Sequence, residues 1–197
     1  MTGYLGRADV TAAAQALFDG DVDDVGYIMN ASRLWAHLPE AVDDVTTLAR
    51  RALRTAQLRP GEREVVVAAT AAAIGDSYCA LVWGAKLAAV TDPDTAAAVL
   101  RGDGPLPTDR MRVLAQWVRK VARQANGIGA DDVRELHDLG LTDRQIFAVT
   151  LFATVRILFS TVNDALGACP DAPLRFTVPA GVRDAVDFGR PIDASPL

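Results

Sequence analysis

The chain has 197 residues, 20 of them basic and 25 acidic, with a formal net charge of -5, two cysteines and two histidines. This balance opposes a nucleic-acid footprint, and the cysteine and histidine counts exclude a disulfide scaffold and a His-rich metal site. Half of the residues (50%) are hydrophobic but only 6% are aromatic, an Ala, Val and Leu-rich mix that favours helices over a β-sandwich.

Apolar spacing predicts a first helix over Asp9 to Phe18, closed by Gly20, and a second over Asp23 to His37. His37-Leu38-Pro39-Glu40 reads as a break, with a new helix running from about Glu40 to Ala56. His37 is expected to cap the preceding helix. Pro60-Gly61 marks the next turn. Glu62 to Ile74 reads as a buried helix, Ser77 to Val90 as a second, and Thr95 to Arg101 as a short third. Between the first two, Gly75-Asp76 either interrupts one continuous helix or starts a new one. Residues 102–107 form the clearest linker and divide the chain into two helical halves, about 8–101 and 108–167, within one domain. Thr108 is an N-cap candidate for a helix over Asp109 to Ala125. A helix over Ala130 to Leu139 follows, closed by Gly140. Thr142 then caps a long apolar helix to Leu166, ended by Gly167. The Pro- and Asp-rich tail, 170–197, is expected to wrap a surface or a neighbouring subunit.

Mean hydropathy of +0.15 is high for a chain of this size and rules out global disorder. The apolar surplus points to subunit contacts and a homo-oligomer. The N-terminal residues carry no secretory signal pattern. No membrane span is expected, because Val65 to Gly75 is too short and Gln145 to Val162 is split by Arg156. A reducing, cytoplasmic setting is the default expectation. No Gly-rich phosphate loop or other cofactor signature is visible, and neither a cofactor nor a metal is expected.

One stretch carries chemistry. Glu64, Ala68, Ala72, Asp76, Cys79 and Trp83 would form one stripe on a continuous helix. If Gly75-Asp76 breaks the helix instead, Asp76 becomes an N-cap and Cys79 falls in the first turn. The helix dipole would then favour the thiolate, and the Asp76 carboxylate would oppose it.

Glu64 to Trp83 resembles the signature of the alkylhydroperoxidase D (AhpD)-like and carboxymuconolactone decarboxylase superfamily. In redox members that signature is Glu, eleven residues, Cys-x-x-Cys, three residues, His. Glu64 falls on the Glu, and Tyr78-Cys79 falls on the frequent Tyr-Cys pair at the second cysteine. Asp76 stands where the first cysteine would be, and Trp83 where the histidine would be. The likeness extends to Ala36-His37-Leu38-Pro39, to Leu139 through Ile146, and to Asp164-Ala165-Leu166-Gly167, although Ser160 and Thr161 replace the Asn-Arg often seen there. It covers about Asp23 to Asp171. It implies an all-α, AhpD-like helical bundle that forms homo-oligomers. It also implies peroxide attack by Cys79, with Glu64 handling the proton. Asp76 cannot form the resolving disulfide and Trp83 cannot relay a proton. A one-cysteine cycle reset by an external thiol is what remains of that chemistry.

Two other readings stand beside this one. One is a cofactor-free decarboxylase-like lyase with Glu64 or Asp76 as acid or base. The other is a catalytically degenerate helical oligomer that binds a small molecule or a partner. For Cys79 the plainer use is a small buried hydrophobe, and for Asp76 an N-cap. Tyr78 and Trp83 are expected to line the pocket, with Trp83 narrowing it. Cys169, the other thiol, is expected to be structural or exposed rather than a resolving partner. Arg156 interrupts an apolar helix, so it is expected to pair with a carboxylate or to face a cavity, where it could hold an acidic substrate. Phe147, Phe152 and Phe159 are read as core or subunit contacts, and His137 as exposed.

Overall fold

The computed structural model describes residues 3–195. It is all-α, with no strand among the described residues. In chain order the helices are α1 (Ala12–Val25), α2 (Asn30–Trp35), α3 (Pro39–Ala56), α4 (Glu62–Ile74), α5 (Ser77–Val90), α6 (Pro93–Arg101), α7 (Asp109–Gln124), α8 (Ala130–Asp138), α9 (Asp143–Leu166), α10 (Leu174–Thr177) and α11 (Ala180–Asp184).

The bundle is built around α4 and α9. Helices α3, α4 and α7 pack against α9, while α5 and α7 pack against α4. In α4, Val65, Val66, Val67, Ala68 and Ala69 are 0–1% exposed, so this helix is apolar all round because neighbours cover it all round. Burying each valine contributes roughly 1.5–3 kcal/mol. The first turn of α4 is pinned by Glu62, which accepts the Arg110 Nε–H at 2.7 Å and the Arg59 backbone N–H at 2.8 Å. Both side chains of that ion pair are buried, and the remaining Arg110 donor capacity goes to the Leu139 carbonyl.

Helix α9 is long and apolar enough, by length and composition, to cross a membrane. Here it is a bundle helix with Arg156 in its middle. Its capping box is complete, with Gln145 Oε1 accepting the Thr142 N–H at 3.0 Å, and Gly167 closes it at φ 85°. Phe147 and Leu158 are exposed on its surface.

Two boundaries differ from the sequence expectation. Thr11 caps α1, which runs through Gly20 and closes at Gly26, at φ 85°. Gly20 costs about 1 kcal/mol in a helix interior, which neighbouring turns can absorb. The predicted helix over Asp23 to His37 is therefore split. Its second half survives as α2, held where Asp21 Oδ2 accepts the Met29 N–H at 2.9 Å.

The tail folds back on its own chain. Helix α11 packs on α5 and α6, and α10 packs on α5. Asp171 Oδ1 accepts the Asn30 N–H at 2.7 Å, and its other oxygen accepts the Tyr78 hydroxyl. Ser77 Oγ donates to the Arg190 carbonyl at 2.7 Å. The tail thus clamps the start of α5, the turn that carries Cys79.

Candidate functional site: a thiol against a cationic, aromatic cavity

The helix does break at Gly75-Asp76. Gly75 sits at φ 78°, a left-handed conformation that suits glycine, and Asp76 caps α5 by accepting the Cys79 N–H on Oδ1 at 3.0 Å. Asp76 is fully buried, and its Oδ2 has no hydrogen-bond partner. Cys79 is therefore in the first turn of α5, 6% exposed, on the wall of a cavity of about 200 Å³. Tyr78, Trp83, Lys86, Arg156 and Phe159 line the same cavity.

Arg156 reaches the thiol from α9. Its Nη2 donates to Cys79 Sγ at 3.4 Å, while its Nε is buried with no partner. The guanidinium carbon lies 5.4 Å from the Trp83 ring centroid and 5.3 Å from that of Phe159. Phe159 in turn stacks on Trp35 at 4.8 Å, and Trp35 Nε1 donates to Asn163 Oδ1 at 2.8 Å. On Trp83, Lys86 Nζ sits 4.6 Å and the Arg63 guanidinium carbon 5.4 Å from the centroid. Three cations thus gather on one indole, each attracted by the ring's electron-rich face.

Burial pushes the Cys79 thiol up to about 12, and the charge of Asp76 adds to the rise. Arg156 and a hydrogen bond from Ser160 pull in the other direction. Desolvation also lowers the Lys86 ammonium below its ordinary value, helped by the charges of Arg63 and Arg156. Tyr78 is pushed up by burial and by the Asp171 charge.

The Cys79 shift sets an alkaline limit on stability. The unfolded thiol loses its proton near its ordinary value of 9, and the folded one holds it until about 12. The native state therefore binds more protons in that window, and stability falls as pH rises through it. One group contributes about 1.4 kcal/mol per pH unit there. Unfolding free energies from urea titration should be level up to about pH 8.5 and then drop, by about 2 kcal/mol at pH 10.5 from Cys79 alone. Cys79→Ala should flatten that slope, and an unchanged slope would show that the thiol is not held protonated.

The sequence-predicted residues separate into two groups. Cys79, Tyr78 and Trp83 share the cavity wall, with Asp76 directly behind the thiol. Glu64 is not on that wall. Helices α4 and α5 run antiparallel, so the first turn of α4 meets the end of α5, and Glu64 lines a separate groove with Val90. Its carboxylate there accepts the Arg63 Nε–H at 2.8 Å. Cys169 also lies off the cavity wall, beside the Gly167 carbonyl, and both cysteines are free. The histidines serve structure, with His37 Nε2 3.1 Å from the Gly6 carbonyl and His137 Nδ1 2.9 Å from the Leu141 carbonyl. Phe159, read from the sequence as a core or subunit contact, is a cavity wall. Lys86 was not signalled at all. Only the turn geometry that places it over Trp83, three positions along α5, reveals it.

The all-α bundle has the AhpD-like fold. Three solved structures share it. An alkylhydroperoxidase AhpD core, an uncharacterized peroxidase-related protein from Ralstonia eutropha JMP134, matches with TM-score 0.77 at 20% identity, over 88% of this chain and 95% of that one. An uncharacterized peroxidase-related protein from Silicibacter sp. TM1040 matches with TM-score 0.77 at 21% identity, over 89% and 95%. A cysteine-to-alanine variant of the debrominase Bmp8, in complex with 2,3,4-tribromopyrrole, matches with TM-score 0.63 at 13% identity, over 95% and 96%. No family model and no curated protein sequence matches the chain.

Proposed function

We propose that this AhpD-like protein is a one-cysteine thiol peroxidase in which Cys79 attacks a small peroxide and an external thiol restores it. The observation that carries this reading is the Arg156 guanidinium 3.4 Å from Cys79 Sγ at a cavity wall, with the Asp76 carboxylate behind it. A thiol needs a route for its proton and a partner for its developing charge. Asp76 takes the proton and Arg156 stabilises the thiolate as it forms. Sγ bonds to the distal peroxide oxygen and the O–O bond breaks. The alkoxide leaves with the proton held by Asp76. Cys79 is oxidised to a sulfenic acid and the peroxide is reduced to an alcohol or water. One external thiol then forms a mixed disulfide with loss of water, and a second releases Cys79 as the thiol. Glu64 has no part in this cycle, because its carboxylate serves Arg63 in another groove.

The named peroxidase relation of two structures of this fold supports the reading. The debrominase of the same fold holds a one-ring ligand, and the cavity here has room for one.

The test is sulfenic-acid trapping with dimedone after peroxide treatment, read by mass spectrometry. Cys169→Ala should keep the adduct at full yield, on Cys79. Cys79→Ser should abolish it together with thiol-dependent peroxide consumption. Peroxide turnover that survives in Cys79→Ser would end the proposal.

A further inference from the structure

The cavity carries more positive charge than the thiol chemistry requires. Lys86 and Arg156 line it, and no Asp or Glu does. Neither cation makes an ion pair with a carboxylate among the described residues. Asp76 spends Oδ1 on the Cys79 N–H and pairs with neither. Arg63, at the outer face of Trp83, is the one cation of the group with a carboxylate of its own, Glu64.

An unpaired cation in a desolvated place is costly unless something compensates it. Stacking on Trp83 and Phe159 offsets part of that cost and supplies no counter-charge. The buried Arg156 Nε still lacks any acceptor. A carboxylate in the cavity would supply both an acceptor and a counter-charge.

Shape limits that anion. About 200 Å³ is less than the roughly 300–1,000 Å³ of sites for drug-sized ligands, so the occupant is about one ring in size. The rest of the wall is mainly apolar, with the flat rings of Trp83 and Phe159 beside Met29 and Val82, and with Ser32 and Asn163 as its neutral polar members. A flat apolar body suits that wall, and one negative head group suits Lys86 and Arg156 together.

We infer that the cavity binds a small planar organic anion, an aromatic or conjugated carboxylate, with its head group between Lys86 and Arg156 and its ring against Trp83 and Phe159. The inference names the substrate class of the site proposed above and rests on that site being the functional one. Under it, the peroxide that reacts carries a carboxylate, and hydrogen peroxide is a poor substitute.

Calorimetric titration with benzoate tests it, with benzamide as the uncharged isostere. Benzoate should bind the wild-type protein at least tenfold more tightly than benzamide. Lys86→Met, at the exposed mouth, should weaken benzoate at least fivefold and leave benzamide unchanged, and Lys86→Arg should retain most of the benzoate affinity. Equal affinity of the wild-type protein for the two probes, or a benzoate affinity unchanged in Lys86→Met, overturns the inference. Benzoate binding alongside a Cys79 that gives no sulfenic acid overturns the peroxidase reading and leaves this one standing.

Discussion

Replacing Arg156 with methionine should slow the reaction of Cys79 at neutral pH by about 10- to 100-fold. A hydrogen bond to a charged partner is worth about 1.5–3 kcal/mol, and each 1.36 kcal/mol is a tenfold change. The thiol is already pushed up to about 12 by burial and Asp76, and Arg156 is the first-ranked influence acting downward. Without it the thiolate is left with Ser160 and the N-terminal start of α5. The fold should tolerate the change. Arg156 forms no ion pair, its Nε is unsatisfied, and methionine fills a similar path between Trp83 and Phe159 with favourable sulfur–ring contacts. Chemical denaturation should therefore show stability within about 1 kcal/mol of wild type. Arg156→Lys keeps the charge and loses the planar fork, so its rate should fall between the two. The measurement is alkylation of Cys79 by iodoacetamide as a function of pH, in a Cys169→Ala background. An Arg156→Met rate equal to wild type would reduce the guanidinium to a packing element.

The difference between what the sequence revealed and what it concealed follows from how local each feature is. Caps and stops are local, and Thr108, Thr142, Gly75-Asp76 and Gly167 set their helix ends from residues three or four positions away. Gly20 shows the limit of that logic. A glycine stops a helix only where the chain has somewhere else to go, and here α1 continues to Gly26. The candidate site mixes both kinds of feature. Cys79 and Asp76 are near neighbours in the chain, so their relation could be read from spacing alone. Glu64 and Cys79 lie on different helices, and a stripe drawn along one helix cannot describe an antiparallel pair. Arg156 could be read as a charge needing an outlet, and the outlet is the thiol. Lys86 looked like any surface lysine. Its position over Trp83 follows from the i,i+3 spacing on α5, but that Arg156 of α9 shares the same ring and cavity is a tertiary fact no window of sequence contains.

Asp76→Asn should invert the pH dependence of Cys79, and this separates two roles that the fold assigns to one carboxylate. Asparagine caps a helix about as well as aspartate, so α5 should keep its start and the fold its stability. The negative charge is lost. Because that charge is the second cause, after burial, of the raised thiol, the thiol should titrate below about 12 in the variant. Each unit of that fall gives tenfold more thiolate at a fixed pH. If Asp76 were only a cap, the variant would react faster at every pH. If Asp76 also accepts the proton, the variant loses a general base worth about 10²–10⁴-fold. That loss outweighs the gain in thiolate at neutral pH, where Asp76 is the available base, whereas at pH 10 hydroxide removes the proton and the gain shows. The expected result is a crossing, with peroxide reduction at least tenfold slower than wild type at pH 7 and alkylation faster at pH 10. Asp164 provides an internal control. Its carboxyl is raised to about 6 by burial and then by the Asp76 charge. It should fall in the variant under either role, and carboxyl chemical shifts would record it. A variant that is faster at both pH 7 and pH 10, with Asp164 shifted down, leaves Asp76 as a cap and removes the proton acceptor from the proposed cycle.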